Sequence, residues 1–236
     1  MKLTWLGQAG WLICTAGETR IMIDPYLSDS LRESKGENYR RQVELCPELL
    51  SVQVDVLVIT HSHADHLDWG TLRPLLAAQQ EPRYVLGPRS VWEELRKESL
   101  CPHELVLFRE GSEYTAGDVR LIAVPAAHSD PQAIGVVLET EGKRVYHTGD
   151  TLYHRDLFSS ETAGADALLL PINGRGNNMN AADAAHLVCT LRPRLVVPMH
   201  YDMFVGTGCC PESFAAMLEG TETNVCILPS YGELEL

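Results

Sequence analysis

Short apolar runs rich in Val, Ile and Leu recur along the chain, and turn residues close each of them. Runs of this kind predict strands at Leu3–Leu6, Trp11–Cys14, Thr19–Ile23, Val54–Thr60, Tyr84–Leu86, Leu105–Phe108, Val119–Val124, Ile134–Glu139, Arg144–His147, Ala167–Leu170, Leu195–Pro198 and Val225–Leu228. Helical segments are fewer: Asp68–Gln79, Ser90–Ser99, Ala181–Leu191 and Pro211–Glu219. Asn180 is a good N-cap for the third of these, and Asp183 places negative charge near the positive end of its dipole. Many strands with helices interspersed predict an α/β fold of two sheets flanked by helices, a four-layer arrangement. No linker, low-complexity stretch or composition break divides the chain, so residues 1–236 are expected to form one domain. Residues 28–50 stand apart. They are charged and longer than a connection needs, which predicts either a solvated surface helix or a lid.

Charge narrows the partners. Nineteen Lys and Arg against 32 Asp and Glu leave a formal net charge of −13. A field of that sign disfavours nucleic acid and anionic membrane, which need a basic face, and points to a small-molecule substrate. It leaves homo-oligomer formation open. The N-terminus lacks a basic-then-apolar leader and no apolar run reaches membrane-spanning length, so a cytoplasmic location is expected. The seven cysteines, Cys14, Cys46, Cys101, Cys189, Cys209, Cys210 and Cys226, are odd in number and lack zinc-finger spacing, which predicts reduced thiols.

Directly after the apolar run Val54–Thr60 comes His61-Ser62-His63-Ala64-Asp65-His66. A chance H-x-H-x-D-H string is expected about six times in 10,000 chains of this composition, so the pattern is specific. Residues two apart in an extended loop point the same way, which lets His61 and His63 converge on one ion. Asp65 and His66 then turn back toward a second. Imidazole and carboxylate suit Zn²⁺, Mn²⁺ or iron. Other ligand types follow strands in the same manner: His128 after Val119–Val124, Asp150 after Arg144–His147, and His200 after Leu195–Pro198. Loops at carboxyl ends of strands are where α/β enzymes collect their chemistry. Five histidines with Asp65 and Asp150 give three ligands per ion and one shared carboxylate. Asp24, which closes Thr19–Ile23, is the candidate carboxylate behind a ligating histidine. His147 (in a strand), His186 (mid-helix) and His103 (on a turn) read as structural, and His154 lies close enough to Asp150 to stay open.

These residues resemble the metallo-β-lactamase superfamily over nearly the whole chain, from Trp5-Leu6-Gly7-Gln8-Ala9-Gly10 and Ile23-Asp24-Pro25 onward. Within it, Thr60–Asp68, Tyr146–Thr151 and Val197–Asp202 look most like L-ascorbate-6-phosphate lactonases and their small metal-dependent hydrolase relatives. This chain is much shorter than those lactonases, and Pro125-Ala126-Ala127-His128-Ser129 looks more like the small relatives. The resemblance implies an αββα sandwich with its site at the edge between the sheets. It also implies His61, His63 and His128 on one metal, Asp65, His66 and His200 on the other, and Asp150 bridging.

The expected cofactors are therefore two divalent ions, Zn²⁺ or Mn²⁺. The expected reaction is attack of a metal-bound hydroxide on a small, anionic lactone or ester, with Asp65 orienting the nucleophile and passing on its proton. Cleavage of phosphodiesters or thioesters on the same metals is the alternative. A di-iron oxidoreductase on this fold is expected to show Glu where His63 stands. Asn173, Arg175 and Asn177, in the glycine-rich run after Ala167–Leu170, are candidate substrate contacts. Arg155 and Tyr39-Arg40-Arg41 stand behind them.

Overall fold

The computed structural model describes residues 1–98, 100, 102–205 and 208–236. Fourteen strands are assigned among them. β1 (Lys2–Gly7), β2 (Gly10–Cys14), β3 (Arg20–Ile23), β4 (Val56–Val58), β5 (Tyr84–Gly87) and β6 (Glu104–Leu107) build one sheet together with the last strand. β7 (Glu113–Ala116), β8 (Val119–Pro125), β9 (Ile134–Thr140), β10 (Lys143–His147), β11 (Ala167–Pro171), β12 (Leu195–Met199) and β13 (Asn224–Val225) build the other. β14 (Glu233–Glu235) returns to the first sheet beside β1, so the strand orders are β14-β1-β2-β3-β4-β5-β6 and β13-β12-β11-β10-β9-β8-β7. Each sheet is antiparallel through its first hairpins and parallel thereafter, from β3 to β6 and from β10 to β13.

Alternation along the strands explains the layering. Trp11 and Ile13, Ile21 and Ile23, and Val56 and Val58 share one buried cluster with Leu121, Val136, Val145 and Val197 of the second sheet. Their intervening neighbours Leu12, Met22 and Leu57 turn to the other face. There they meet Leu72, Leu75 and Leu76 of α2 (Trp69–Ala77) and Val91 and Leu95 of α3 (Arg89–Leu95). The second sheet is covered by α4 (Ala181–Leu191), through Ala184, Leu187, Val188 and Leu191, and by α5 (Pro211–Met217), through Phe214. The result is the four-layer αββα sandwich. Each Val, Leu, Ile, Met or Phe among these side chains contributes about 1.5–3 kcal/mol on burial before chain entropy is counted. Asn180 caps α4 by accepting from the amides of Ala182 (2.9 Å) and Asp183 (3.0 Å).

Several expectations need correction. The apolar run Val54–Thr60 is a strand only over Val56–Val58. The strand expected at Val225–Leu228 is Asn224–Val225 alone. The helix expected at Ser90–Ser99 is Arg89–Leu95; Ser99 and Cys101 lie outside the described residues, and the other six cysteines are free thiols. Strands β7 and β14 were not expected, because Glu113–Ala116 and Glu233–Glu235 are half-exposed edges whose pairing depends on distant partners. Among the described residues no helix is long and apolar enough to cross a membrane.

Residues 28–50 are neither one surface helix nor a loose loop. They form α1 (Ser30–Lys35) and two short 3₁₀ turns, Glu37–Tyr39 and Pro47–Ser51. The buried Arg41 anchors them by donating to the carbonyls of Tyr26 (2.5 Å), Ser28 (3.2 Å) and Val43 (3.1 Å). The amide of Gln42 donates to the Met203 carbonyl at 2.8 Å, and Tyr39 packs edge-on against Phe204. Arg41 therefore serves the frame and is not available to a substrate.

Candidate metal centre

The carboxyl ends of the parallel strands deliver the chemistry to one edge of the sandwich. Asp24 follows β3, His61 follows β4, Asp150 follows β10, Asn173 follows β11 and His200 follows β12. After His61 the chain reverses, with the amides of His66 and Leu67 donating to the His63 carbonyl at 2.9 and 2.7 Å. That turn brings Asp65 and His66 back beside the histidines they follow. Asp150 is placed by Gly149, whose φ of +63° suits glycine and whose added Cβ would lie 2.6 Å from the Ile134 carbonyl oxygen. Non-glycine residues with positive φ gather here too: Gln8, Asp24, Asn177 and His200. Such backbone costs about 1–3 kcal/mol per residue and persists where surrounding structure holds it.

Two groups of donor atoms form, His61 with His63, His128 and Asp150, and Asp65 with His66 and His200. Within the first, His63 Nδ1 lies 3.1 Å from His128 Nε2, and Asp150 Oδ2 lies 3.9 Å from His61 Nε2 and 3.8 Å from His128 Nε2. Within the second, Asp65 Oδ2 lies 3.4 Å from His200 Nε2 and 3.8 Å from His66 Nε2. Asp150 reaches this group as well, with Oδ2 3.2 Å from His200 Nε2 and Oδ1 3.4 Å from His66 Nε2. Donors around a tetrahedral ion bound at about 2.0–2.1 Å stand about 3.3 Å apart, so the spacing fits metal ligation. Among the described residues, His61 Nε2, His66 Nε2 and Asp150 Oδ1 are buried and find no hydrogen-bond partner, as atoms awaiting a cation would.

Partners on the far side of the rings decide which nitrogen faces inward. Asp24 is wholly buried and accepts from the Thr60 amide (2.7 Å) and the Thr60 hydroxyl (2.5 Å), with His66 Nδ1 at 2.8 Å. Since the Thr60 hydroxyl donates to Asp24, its lone pair is left for His61 Nδ1 at 3.1 Å. One carboxylate thus holds the Nδ1–H tautomer of two rings and frees both Nε2 atoms. His128 Nδ1 faces the Asn177 carbonyl at 3.1 Å, which does the same for that ring. His200 Nδ1 lies 3.1 Å from the carboxamide of Asn173, whose oxygen is buried and finds no partner among the described residues. Turning that amide over lets its oxygen accept from Nδ1–H.

Charge follows from crowding. Burial would lower the His66 pKa, yet Asp150, Asp24 and Asp65 hold it well above the usual imidazole value. The same contest, burial against Asp150 and Asp65, pushes His200 up to about 9. Burial works against the charged carboxylates as well, but His200 and His66 hold Asp150, and His66 and His200 hold Asp65, below the ordinary range. His61, with burial dominant, is pushed well down, and burial also lowers His128.

A cavity of about 730 Å³ opens onto these groups, and His63, Asp65, Asp150 and His200 are among its lining residues. Arg175, Asn177 and Asn173 line it too, although Asn173 turns its amide to His200 and Asn177 its carbonyl to His128. Arg155 does not line it. That side chain is 89% exposed beside Asp156. His147 is buried against the Ala9 carbonyl (2.9 Å), His186 stacks on Tyr153, His103 accepts from the Arg83 amide (3.2 Å) and His154 from that of Asp156 (3.3 Å).

Sequence reasoning missed four contributors. Asp130 gathers the Ser62 amide (3.1 Å) and hydroxyl (2.9 Å), the Ser90 hydroxyl (2.7 Å) and the Gln132 amide (2.9 Å), tying the histidine loop to α3. Asn178 accepts from the Thr151 amide at 2.9 Å and steadies the turn after Asp150. Lys35 lines the cavity from α1. Gln8 touches both Asp65 and His200, and its one legible signal is a polar residue in a tight turn between two apolar strands.

Comparison with known proteins agrees with this architecture. Residues 19–201 match the Beta-lactamase superfamily domain. A UPF0173 metal-dependent hydrolase of Pyrococcus furiosus is 30% identical over 250 residues, covering all of both chains. Another, of Pyrococcus abyssi, is 31% identical over 247 residues with the same coverage. Among solved structures, Igni18, a metallo hydrolase of Ignicoccus hospitalis, superposes with a TM-score of 0.79 at 24% identity, over 100% of this chain and 98% of that one. CmlA, a diiron beta-hydroxylase of Streptomyces venezuelae, superposes at 0.77 with 16% identity, over 100% of this chain and 54% of that one, so the fold alone does not choose the chemistry.

Proposed function

The chain belongs to the beta-lactamase superfamily and is a metal-dependent hydrolase, and on that footing we propose that it holds two divalent ions and cleaves a small, anionic lactone or ester, in the manner of the L-ascorbate-6-phosphate lactonases. The observation that carries the two-ion reading is Asp150, whose two oxygens face both donor groups at 3.2–3.9 Å. His61, His63 and His128 would hold one ion, Asp65, His66 and His200 the other, and Asp150 both. The donor set suits Zn²⁺ or Mn²⁺. Bound there, such ions supply water of lowered pKa and a positive charge that polarises the acyl oxygen.

The side chains do the rest. Asp65 faces the cavity and is kept ionised by its histidine neighbours, so it accepts a hydrogen bond from the attacking water and sets its direction. Arg175 and Lys35 line the same cavity, and their positive charge would receive an anionic group remote from the reacting carbonyl. Tyr39, Phe204 and Val205 offer an apolar wall beside them. A space of this size takes a small molecule, and the net charge of −13 argues against nucleic acid. The test is turnover by the purified, metal-loaded protein on a panel of lactones, phosphodiesters and thioesters. The highest kcat/KM should fall on lactones that carry a remote anionic group. Turnover of phosphodiesters or thioesters with none on any lactone would overturn the substrate assignment while leaving the hydrolase standing.

A further inference from the structure

Gln8 sits in the turn between β1 and β2 with φ +50° and only 2% of its surface exposed. Its main chain has a structural purpose. The carbonyl accepts from the Trp5 indole at 3.0 Å and from the His200 amide at 2.9 Å, which fixes the loop that carries His200. Nothing in that purpose calls for a carboxamide side chain. Yet the carboxamide nitrogen donates to Asp65 Oδ2 at 2.7 Å and lies 3.1 Å from His200 Nε2. Those two atoms are 3.4 Å from each other and belong to one donor group. Neighbouring ligand atoms on an octahedral ion bound at about 2.1 Å stand about 3 Å apart. The end of the Gln8 side chain therefore stands at the spacing of one more vertex of the same shell. Its oxygen reaches that place by a half-turn about the last side-chain bond.

Resting on the two-ion reading above, we propose that Gln8 is a neutral oxygen ligand of the ion held by Asp65, His66 and His200. Its amide turns over between a nitrogen-inward state, which donates to Asp65 when no ion is present, and an oxygen-inward state when one is. The two sites then differ in kind. His61, His63, His128 and Asp150 offer three nitrogens and one carboxylate, a four-ligand set that suits Zn²⁺. Asp65, His66, His200, Asp150 and Gln8 offer two nitrogens and three oxygen donors, which shifts preference toward Mn²⁺. Gln8 is thus the residue that makes the second site the harder of the two.

Metal titrations of the stripped full-length chain decide the matter without any activity measurement. Mn²⁺ binding is read from the loss of the free-ion electron paramagnetic resonance signal, and Zn²⁺ binding by competition with a chromophoric chelator. The wild type should bind two ions. Gln8→Leu should weaken Mn²⁺ at one site by tenfold or more and Zn²⁺ by less than threefold. Gln8→Glu, which presents oxygen in either orientation, should bind Mn²⁺ at least as tightly as the wild type. The main-chain bonds of Gln8 survive either replacement, and should the Leu variant not fold, the Glu variant decides by its sign. Unchanged affinities in both variants would overturn the assignment. So would equal losses for both metals in Gln8→Leu with weaker Mn²⁺ binding in Gln8→Glu, the pattern of a side chain that only donates to Asp65. One ion in the wild type would sink the two-ion reading with it, whereas two ions and no Gln8 effect would sink the Gln8 assignment alone.

Discussion

Replacing Asp24 by Asn tests how the histidines are set, because the change keeps shape while it removes the negative charge and puts a donor where one acceptor oxygen stood. In the native chain the carboxylate takes hydrogen bonds from the Thr60 amide and hydroxyl, and its Oδ2 lies 2.8 Å from His66 Nδ1. An Asn oxygen can keep the Thr60 amide, but its NH₂ then faces two groups that were donating. His66 must accept at Nδ1 and carry its proton on Nε2. The Thr60 hydroxyl turns to His61 Nδ1, 3.1 Å away, and drives that ring to the same wrong tautomer. Loss of one outer partner costs about 10- to 100-fold in metal affinity, or about 1.4–2.8 kcal/mol. With one ring affected directly and a second through Thr60, the ion on His66 should weaken about 100-fold and the ion on His61 about tenfold. Chelator competition on the metal-free variant measures both. Thr60→Val should reproduce mainly the His61 effect, because Asp24 still faces His66. Affinities in Asp24→Asn within twofold of wild type would refute the tautomer argument.

Asp65→Asn should lower kcat by about a hundred- to ten-thousandfold with the fold intact, since the water loses its orienting base; near-normal turnover with both ions bound would show that Asp65 has no such role. Arg175→Ala should cut kcat/KM about ten- to a hundredfold on lactones with a remote anionic group, because charge-assisted hydrogen bonds are worth about 1.5–3 kcal/mol. Equal losses on uncharged lactones of the same ring would mark a general defect instead. Metal uptake at pH 7.5 should release at least about one proton, because His200, raised to about 9, is protonated there until an ion displaces its proton. Calorimetry in buffers of different ionisation enthalpy reads this, and heats independent of buffer would contradict it. In the metal-free protein the same raised value contributes stability that is full below about pH 6.5 and fades as pH rises through about 9.

What the sequence made legible follows from locality. The string from His61 to His66 lies on one loop after one apolar run, so its ligand types and their reversal can be read in a few residues. The apolar run Trp11–Cys14 likewise predicts a strand, and the structure buries Trp11 and Ile13 on one face of it and Leu12 on the other. Contacts that cross the fold leave no such mark. β14 exists because Leu234 pairs with Leu3 across nearly the whole chain. Asp130 matters only because folding sets it against Ser62 and Ser90. Arg41, which resembles a surface cation in sequence, is buried by carbonyls from Tyr26 and Ser28. Lys35 reaches the cavity only through the path of residues 28–50.

Counting metal per chain tests most directly the proposal that Asp150 serves two ions at once. Elemental analysis of protein purified gently under Zn²⁺- or Mn²⁺-replete conditions should give close to two ions per chain. In Asp150→Asn the count should fall toward one or below, because both donor groups lose their shared carboxylate. A wild-type count at or below one under the same conditions would contradict the account.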